Sequence, residues 1–289
     1  MDEHAVGART TGDHPPDSAP PRRPQCGLLQ LDRYRIGTTI VAIVALAIFQ
    51  TALAEEPAGD EALLAVAANF AEVIELLKGE FEQETGHSLT VSVASTGTLY
   101  AQIKNGAPFD ILLAADQERP RLLEGEGLAV PGSRFTYAVG RLTLWSPEAG
   151  RIAANGAETL KLGDFRKLAI ANPDLAPYGL AARETLEALE LDESLEDRIV
   201  MGENIGQTHA MVATGNADLG FVALSYVLSP RNESKGSRWD VPQELYTPIR
   251  QDAVLLMRAA ENAAARDFLA WLQGEDARAR IREFGYAVE

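Results

Sequence analysis

Four times between residues 63 and 214 the chain repeats one local grammar. A short apolar run gives way to a few small, mostly uncharged residues and then to an amphipathic segment. "LLAVAA" (63–68) is followed by Phe70, Val73, Ile74, Leu77 and Phe81 on one helical stripe that Gly86 ends. Leu89, Val91 and Val93 alternate to one face of a second strand, and after Ser95-Thr96-Gly97-Thr98 a short helix carries Leu99 and Ile103. "KLAIAN" (167–172) leads through "PDLAPYG" to a helix containing Leu186 and Leu189, and "RIVMGEN" leads to a helix over about 206–214. Strands of this length alternating with helices specify an α/β protein, whose parallel strands bring helix N-termini to one edge of the sheet.

The remaining segments extend the pattern. "FDILLAA" reads as a third strand after the turn Gly106-Ala107-Pro108, and "TYAVGRLTLWS" as a strand running into Pro147. "ADLGFVALS" and "PIRQDAVLLM" (248–257) are further strands, and helices are expected over 262–272 and 276–284. The β-α-β-α-β unit therefore occurs twice, with the chain crossing between two α/β lobes more than once. The expected division is 61–138 and 249–289 for lobe I and 139–248 for lobe II.

The loops at the strand-to-helix junctions are 67–70, 94–98, 176–179 and 203–207, two from each lobe. Apart from Glu203 none carries a charge, a histidine or a metal-ligand set. They offer N–H groups, amides and hydroxyls at the positive ends of helices, which suits an oxyanion held in a cleft between lobes. Taken singly, each loop reads first as an ordinary helix N-cap, since Ser, Thr and Asn serve that purpose; it is four of them together that point to a site.

The N-terminal segment has its own logic. Residues 1–30 are rich in Pro, Arg and small polar residues without apolar periodicity and read as unstructured. Arg33 and Arg35 precede the apolar run "IGTTIVAIVALAIFQTALA", which closes on Ala52-Leu53-Ala54. That is the pattern of a secretory signal peptide cleaved after Ala54; a membrane anchor is the alternative. Cys26, the only cysteine, precedes the run, so the exported part is expected to use neither disulfides nor thiolate chemistry. The formal charge is −16, and residues 1–54 contain five Lys/Arg and five Asp/Glu, so export leaves it unchanged. Nucleic acid is excluded as a partner by that charge.

The segments "AANF", "ASTGTLYAQIKNGAPFDILLAADQ", "PGSRFTYAVGRLTLWS", "AIANPDLAPYGLAA", "ENIGQTHAMVATGNADLGFVA" and "FLAWLQGEDARARIREFGY" resemble, in order and spacing, the molybdate-binding proteins of bacterial ABC importers. The resemblance covers about residues 63–288. It implies the type II periplasmic-binding-protein fold, two α/β lobes with a ligand cleft between them. It also implies a monomeric periplasmic protein that delivers molybdate or tungstate to a membrane permease, with no cofactor and no protein-ligated metal.

By the same resemblance, Ala68 contributes its backbone N–H, Asn69 and Thr96 side-chain donors with help from Ser95, and Tyr178 and Ile205 their backbone N–H groups. The Tyr178 phenol is a further candidate donor. The chain departs from many members at Ala68, where they carry Ser or Thr, and at Ala223, where they carry Tyr.

Donors without acceptors favour a fully deprotonated dianion, because a protonated oxyanion would bury its O–H against other donors. Sulfate or thiosulfate is the alternative cargo; phosphate-like ligands would call for an Arg that the loops lack. No hydrolase, zincin, P-loop or dinucleotide motif is present, so catalysis is not expected. His87 and His209 are isolated, and Asp116 with Glu118 reads as a helix N-terminal charge feature. A transcription-regulator effector domain would need a basic helix-turn-helix module, which residues 1–54 do not supply.

Overall fold

The computed structural model describes residues 59–289. The leader, the apolar run and the expected cleavage after Ala54 lie outside the described residues. In chain order the first elements are β1 (Glu61–Ala67), a 3-10 turn (Ala68–Phe70), α1 (Ala71–Thr85), β2 (Ser88–Ala94), α2 (Thr96–Lys104), β3 (Ile111–Leu113), α3 (Glu118–Gly125) and β4 (Phe135–Gly140). They are followed by β5 (Leu142–Ser146), α4 (Gly156–Leu162), β6 (Leu168–Ala171), α5 (Pro177–Ala188), α6 (Asp192–Leu195), β7 (Ile199–Gly202), α7 (Ile205–Ala213), β8 (Leu219–Ala223), α8 (Leu224–Leu228) and β9 (Ser237–Asp240). The chain closes with β10 (Ile249–Leu255), α9 (Ala263–Leu272) and α10 (Glu275–Glu283).

The strands form two five-stranded sheets built on one plan, β2-β1-β3-β10-β4 and β7-β6-β8-β5-β9. In each, three parallel strands are continued by two antiparallel pairings, through β10 to β4 and through β5 to β9. Among the described residues no helix is long and apolar enough to cross a membrane.

Burial explains why these sequences become these elements. Leu64 and Val66 on β1 face α1 and α9 through Val73, Ile74, Leu77, Phe81 and Phe268, whereas Ala65 between them faces Leu99 and Ile103 of α2. Helices cover both faces, so the strand reads as a continuous apolar run and not as an alternation. Each fully buried Leu, Ile or Phe contributes roughly 1.5–3 kcal/mol of transfer free energy. The α1 stripe is buried as its periodicity requires, and Gly86 takes the left-handed conformation (φ 73°) that ends the helix. In the second lobe the same logic packs Leu168, Ile170 and Phe221 against Ala182 and Leu186 of α5.

Two sequence expectations are modified. "TYAVGRLTLWS" is not one strand: it breaks at Arg141, β4 pairing with β10 in the first sheet and β5 with β8 and β9 in the second. The local pattern is apolar on both sides of the break, so the change of partner sheet leaves no periodic mark. Val93 does not share the burial of Leu89; it is 46% exposed, because β2 is an edge strand whose far end no helix covers. The elements α4, α6, α8 and β9 have no counterpart in the reading of the sequence; α8 and β9 are too short to show a period.

The antiparallel strand β10 carries a register shift between Gln251 and Asp252, both fully buried. The Asp252 carboxylate pairs with Arg134 (2.6 Å) and accepts from Thr136 Oγ1 (2.7 Å) and Gln117 Nε2 (3.1 Å). Removing one member of a buried pair leaves the other uncompensated. Asp252→Ala is therefore expected to lower stability by about 3 kcal/mol, the lower end of the usual cost because Arg134 retains Glu124 at 2.8 Å. Urea unfolding of the variant against wild type measures this.

Candidate functional site

Strand register assembles the site. β1 and β2 run parallel with Ala67 opposite Ala94, so the turns that leave them start side by side. β6 and β7 run parallel with Ala171 opposite Gly202, which does the same for the other two loops. The two pairs meet across a small cavity of about 10 Å³ lined by Ala68, Asn69, Ser95, Thr96, Tyr178 and Ile205, with Asn204, Pro177 and alanine side chains as neighbours. All six residues singled out in the sequence thus border one space. No Lys, Arg, Asp, Glu or His lines it. A space of that size holds about one water molecule, so it admits only a small ligand and not a peptide or sugar.

Each lining segment begins a helix or helical turn. The first N–H groups of such a segment have no partner within it, and they carry the positive end of the helix dipole. Thr96 and Ile205 are the first residues of α2 and α7, and Tyr178 is the second of α5, behind Pro177. Ser95 caps α2 by accepting from Thr98 N (3.3 Å), and Asn204 caps α7 by accepting from Gln207 N (3.0 Å). Gln207 Oε1 returns the favour to Glu203 N at 2.6 Å, in the manner of a capping box. The N-cap reading of these two residues therefore holds, and it coexists with their place on the cavity.

Side-chain partners separate the candidates further. Thr96 Oγ1 accepts from Ala115 N (3.0 Å), which leaves its hydroxyl hydrogen free to donate. Asn69 differs from the sequence expectation. Both hydrogens of its amide are spent on protein, one on Gln251 Oε1 (2.8 Å) and one on Tyr286 OH (3.0 Å), so what it can direct into the cavity is backbone N–H. The Tyr178 hydroxyl accepts from Gln251 Nε2 at 3.3 Å, a bond that does not use its own hydrogen.

The lobes are latched around this space. Gly97 N donates to Leu175 O (2.9 Å), Tyr226 OH to Ala68 O (2.6 Å) and Ser225 Oγ to Asn69 O (3.0 Å). Tyr286 OH also donates to Asn69 O, at 2.8 Å. With the carbonyls of Ala68 and Asn69 fixed in this way, the peptide N–H groups that follow them are held in the opposite sense. Tyr226 lies one turn beyond Ala223 and brings a phenol to the first loop from α8.

Reasoning from the sequence missed Gln251, Tyr137, Tyr286, Ser225 and Tyr226. The one local signal was a polar Gln-Asp pair inside the apolar run of β10.

Other polar features have structural explanations. His209 is stacked between Trp145 (5.0 Å) and Tyr226 (4.9 Å), and burial lowers its pKa. Asp116 accepts from Arg119 N (2.9 Å) in the first turn of α3. Among the described residues no group of three or more His, Cys, Asp or Glu could hold a metal ion. A larger depression of about 420 Å³ on lobe II sets Asp174, Glu187, Asp192, Glu193 and Glu196 against the single cation Arg183, a balance that repels an anion.

Comparison with known proteins agrees with this geometry. The family model described as bacterial extracellular solute-binding protein matches residues 62–287. The molybdate-binding protein ModA of Azotobacter vinelandii is 48% identical over 229 residues, 79% of this chain and 90% of the relative. Its namesake from Rhodobacter capsulatus is 46% identical over 255 residues, 88% of this chain and 97% of the relative. The solved structure of the Azotobacter vinelandii periplasmic molybdate-binding protein superposes with a TM-score of 0.76 at 42% identity, covering 79% of this chain and 99% of that one.

Two outcomes are expected. A methyl group at position 97 would lie 3.0 Å from the Leu175 Cα and carbonyl oxygen, so Gly97→Ala should push the facing Leu175 segment back by a few tenths of an ångström and strain the Gly97–Leu175 hydrogen bond. Its effect should appear as weaker anion binding in calorimetry, with ligand-free melting little changed.

The second concerns the tyrosines behind the cavity. Burial raises the pKa of Tyr137, Tyr178 and Tyr226, and raises that of Tyr286 from 10.0 to about 12. The unfolded chain loses these protons first, so stability is intact below pH 10 and is lost as pH climbs from 10 towards 12. Tyrosinate absorbance and far-ultraviolet dichroism, followed together, should show ionisation of these groups coinciding with unfolding. Their ionisation near pH 10 in a folded protein would contradict the assignment.

Proposed function

This chain belongs to the bacterial extracellular solute-binding protein family, and from that premise we propose that it captures molybdate or tungstate outside the cytoplasm and presents it to an ABC importer. The carrying observation is the cavity itself: helical N-termini from both lobes surround a small space without a charged lining residue. The names of the relatives at 46–48% identity point to the same cargo.

In this reading the anion is held by the backbone N–H groups of Ala68, Asn69, Tyr178 and Ile205 and by the hydroxyl of Thr96, with Ser95 shaping the second loop. Hydrogen bonds to a charged group are worth about 1.5–3 kcal/mol each, and a handful of them inside a water-excluded cleft supplies tight binding without a counter-charge. Sulfate carries the same charge on a smaller ion, so donors spaced for molybdate meet it poorly. The protein acts as a monomer without cofactor, catalysis or nucleic-acid contact. It reaches the periplasm by removal of residues 1–54 and hands its cargo to a membrane permease.

Calorimetric titration with molybdate, tungstate, sulfate and phosphate tests the proposal. Tight binding of the first two and none of the others is expected; sulfate binding within about tenfold of molybdate (~1.4 kcal/mol) overturns it. Thr96→Ala should weaken molybdate binding roughly 10- to 150-fold, and Ile205→Ala, which keeps its N–H, far less. Because the formal charge is −16 and the cavity has no cation, affinity should fall little as salt is raised.

A further inference from the structure

Gln251 is a fully buried carboxamide in the middle of a sheet, a placement that is costly unless its hydrogen-bonding groups are met. Oε1 accepts from Asn69 Nδ2 (2.8 Å) and Tyr137 OH (3.1 Å), and Nε2 donates to Tyr178 OH (3.3 Å). Asn69 belongs to the first loop of lobe I and Tyr178 to the N-terminus of α5 in lobe II. One side chain therefore joins the two turns that face each other across the cavity, without lining the cavity itself.

Two features of the surrounding chain make room for this arrangement. The register of β10 shifts directly after Gln251, at the point where the strand passes under the cleft. At the end of β4, Gly140 has no side chain: a methyl group there would fall onto the Tyr178 hydroxyl and 2.5 Å from Gln251 Nε2. Gly140 has no positive φ, so its backbone conformation is open to alanine and the constraint is one of space.

We propose that Gln251 is the positioning residue of the anion site, its carboxamide setting the distance between the Asn69 and Tyr178 N–H groups and thereby the size of oxyanion the cavity accepts. The proposal rests on the reading of the site as an oxyanion cleft. It assigns to Gln251 no contact with the anion. Its effect passes through the orientation of the donors, as when residues behind a metal ligand fix that ligand's geometry.

The test uses the purified exported protein with sodium molybdate and sodium sulfate as probes, at a temperature where melting shows every variant folded. Gln251→Met keeps the volume and removes the hydrogen bonds; Gly140→Ala keeps Gln251 and fills the space it shares with Tyr178. Val254→Ala, a buried truncation on the opposite face of β10, reports what loss of stability alone does.

Both Gln251→Met and Gly140→Ala are expected to weaken molybdate binding by at least about tenfold, and to lower the sulfate concentration needed, relative to the molybdate Kd, for displacement. Val254→Ala should melt earlier and bind like wild type. If Gln251→Met does not fold, Gly140→Ala decides alone. Wild-type affinity in the folded variants, or a loss matched by Val254→Ala, overturns the proposal. Wild-type protein that binds neither anion overturns the oxyanion reading, and the role of Gln251 with it.

Discussion

The dependence that runs through this protein is electrostatic: an anion taken out of water must be met by positive potential, and the cavity offers no charged side chain, only helix N-termini and neutral polar groups. A few N–H groups at the start of one helix carry about half an elementary charge. Several such ends must therefore converge, and convergence demands that parallel strands deliver their helices to a common edge. The alignment of Ala67 with Ala94 and of Ala171 with Gly202 meets that demand within each lobe. Hydrogen bonds such as Gly97 N to Leu175 O and Tyr226 OH to Ala68 O meet it across the cleft.

A neutral cavity imposes requirements on what lies behind it. N–H groups bind well only if their peptide planes are held still, and the planes are held here by acceptors and donors that never reach the cavity. The carbonyls of Ala68 and Asn69 are pinned by Tyr226, Ser225 and Tyr286, and the Asn69 amide by Gln251 and Tyr286. Aromatic packing supports the phenols in turn: Phe70 sits edge-on to both Tyr137 (4.9 Å) and Tyr286 (5.6 Å). The buried polar layer is affordable because its groups are paired with one another.

How much of this is legible in the sequence follows from how local each feature is. The α1 stripe, the Gly86 terminus and the caps at Ser95 and Asn204 depend on residues within a turn or two, and each can be read directly. The site loops are legible for the same reason, since uncharged small residues between an apolar run and an amphipathic segment mark a strand-to-helix junction. The switch of sheets at Arg141 is not legible, because both sides of it carry the same apolar pattern. Nor is the support of the site. Asn69 meets Gln251 across 182 positions and Tyr286 across 217, and no local period encodes such a meeting. The Asn69 side chain, expected from the sequence to serve as a donor in the site, bonds here to partners that arrive from the end of the chain.

The division of the donors between two lobes has a thermodynamic corollary. Thr96 and the Ala68–Asn69 turn belong to one folded unit of strand and helix, Tyr178 and Ile205 to the other, and only a few hydrogen bonds, such as Gly97 to Leu175, hold the lobes in register. Each lobe alone is half a coordination shell, and half a shell of dipoles competes poorly with water. Separation of the lobes is thus the same coordinate as loss of affinity. Whatever draws them apart can turn a tight receptor into a weak one without protonation, hydrolysis or any other chemical change at the cavity.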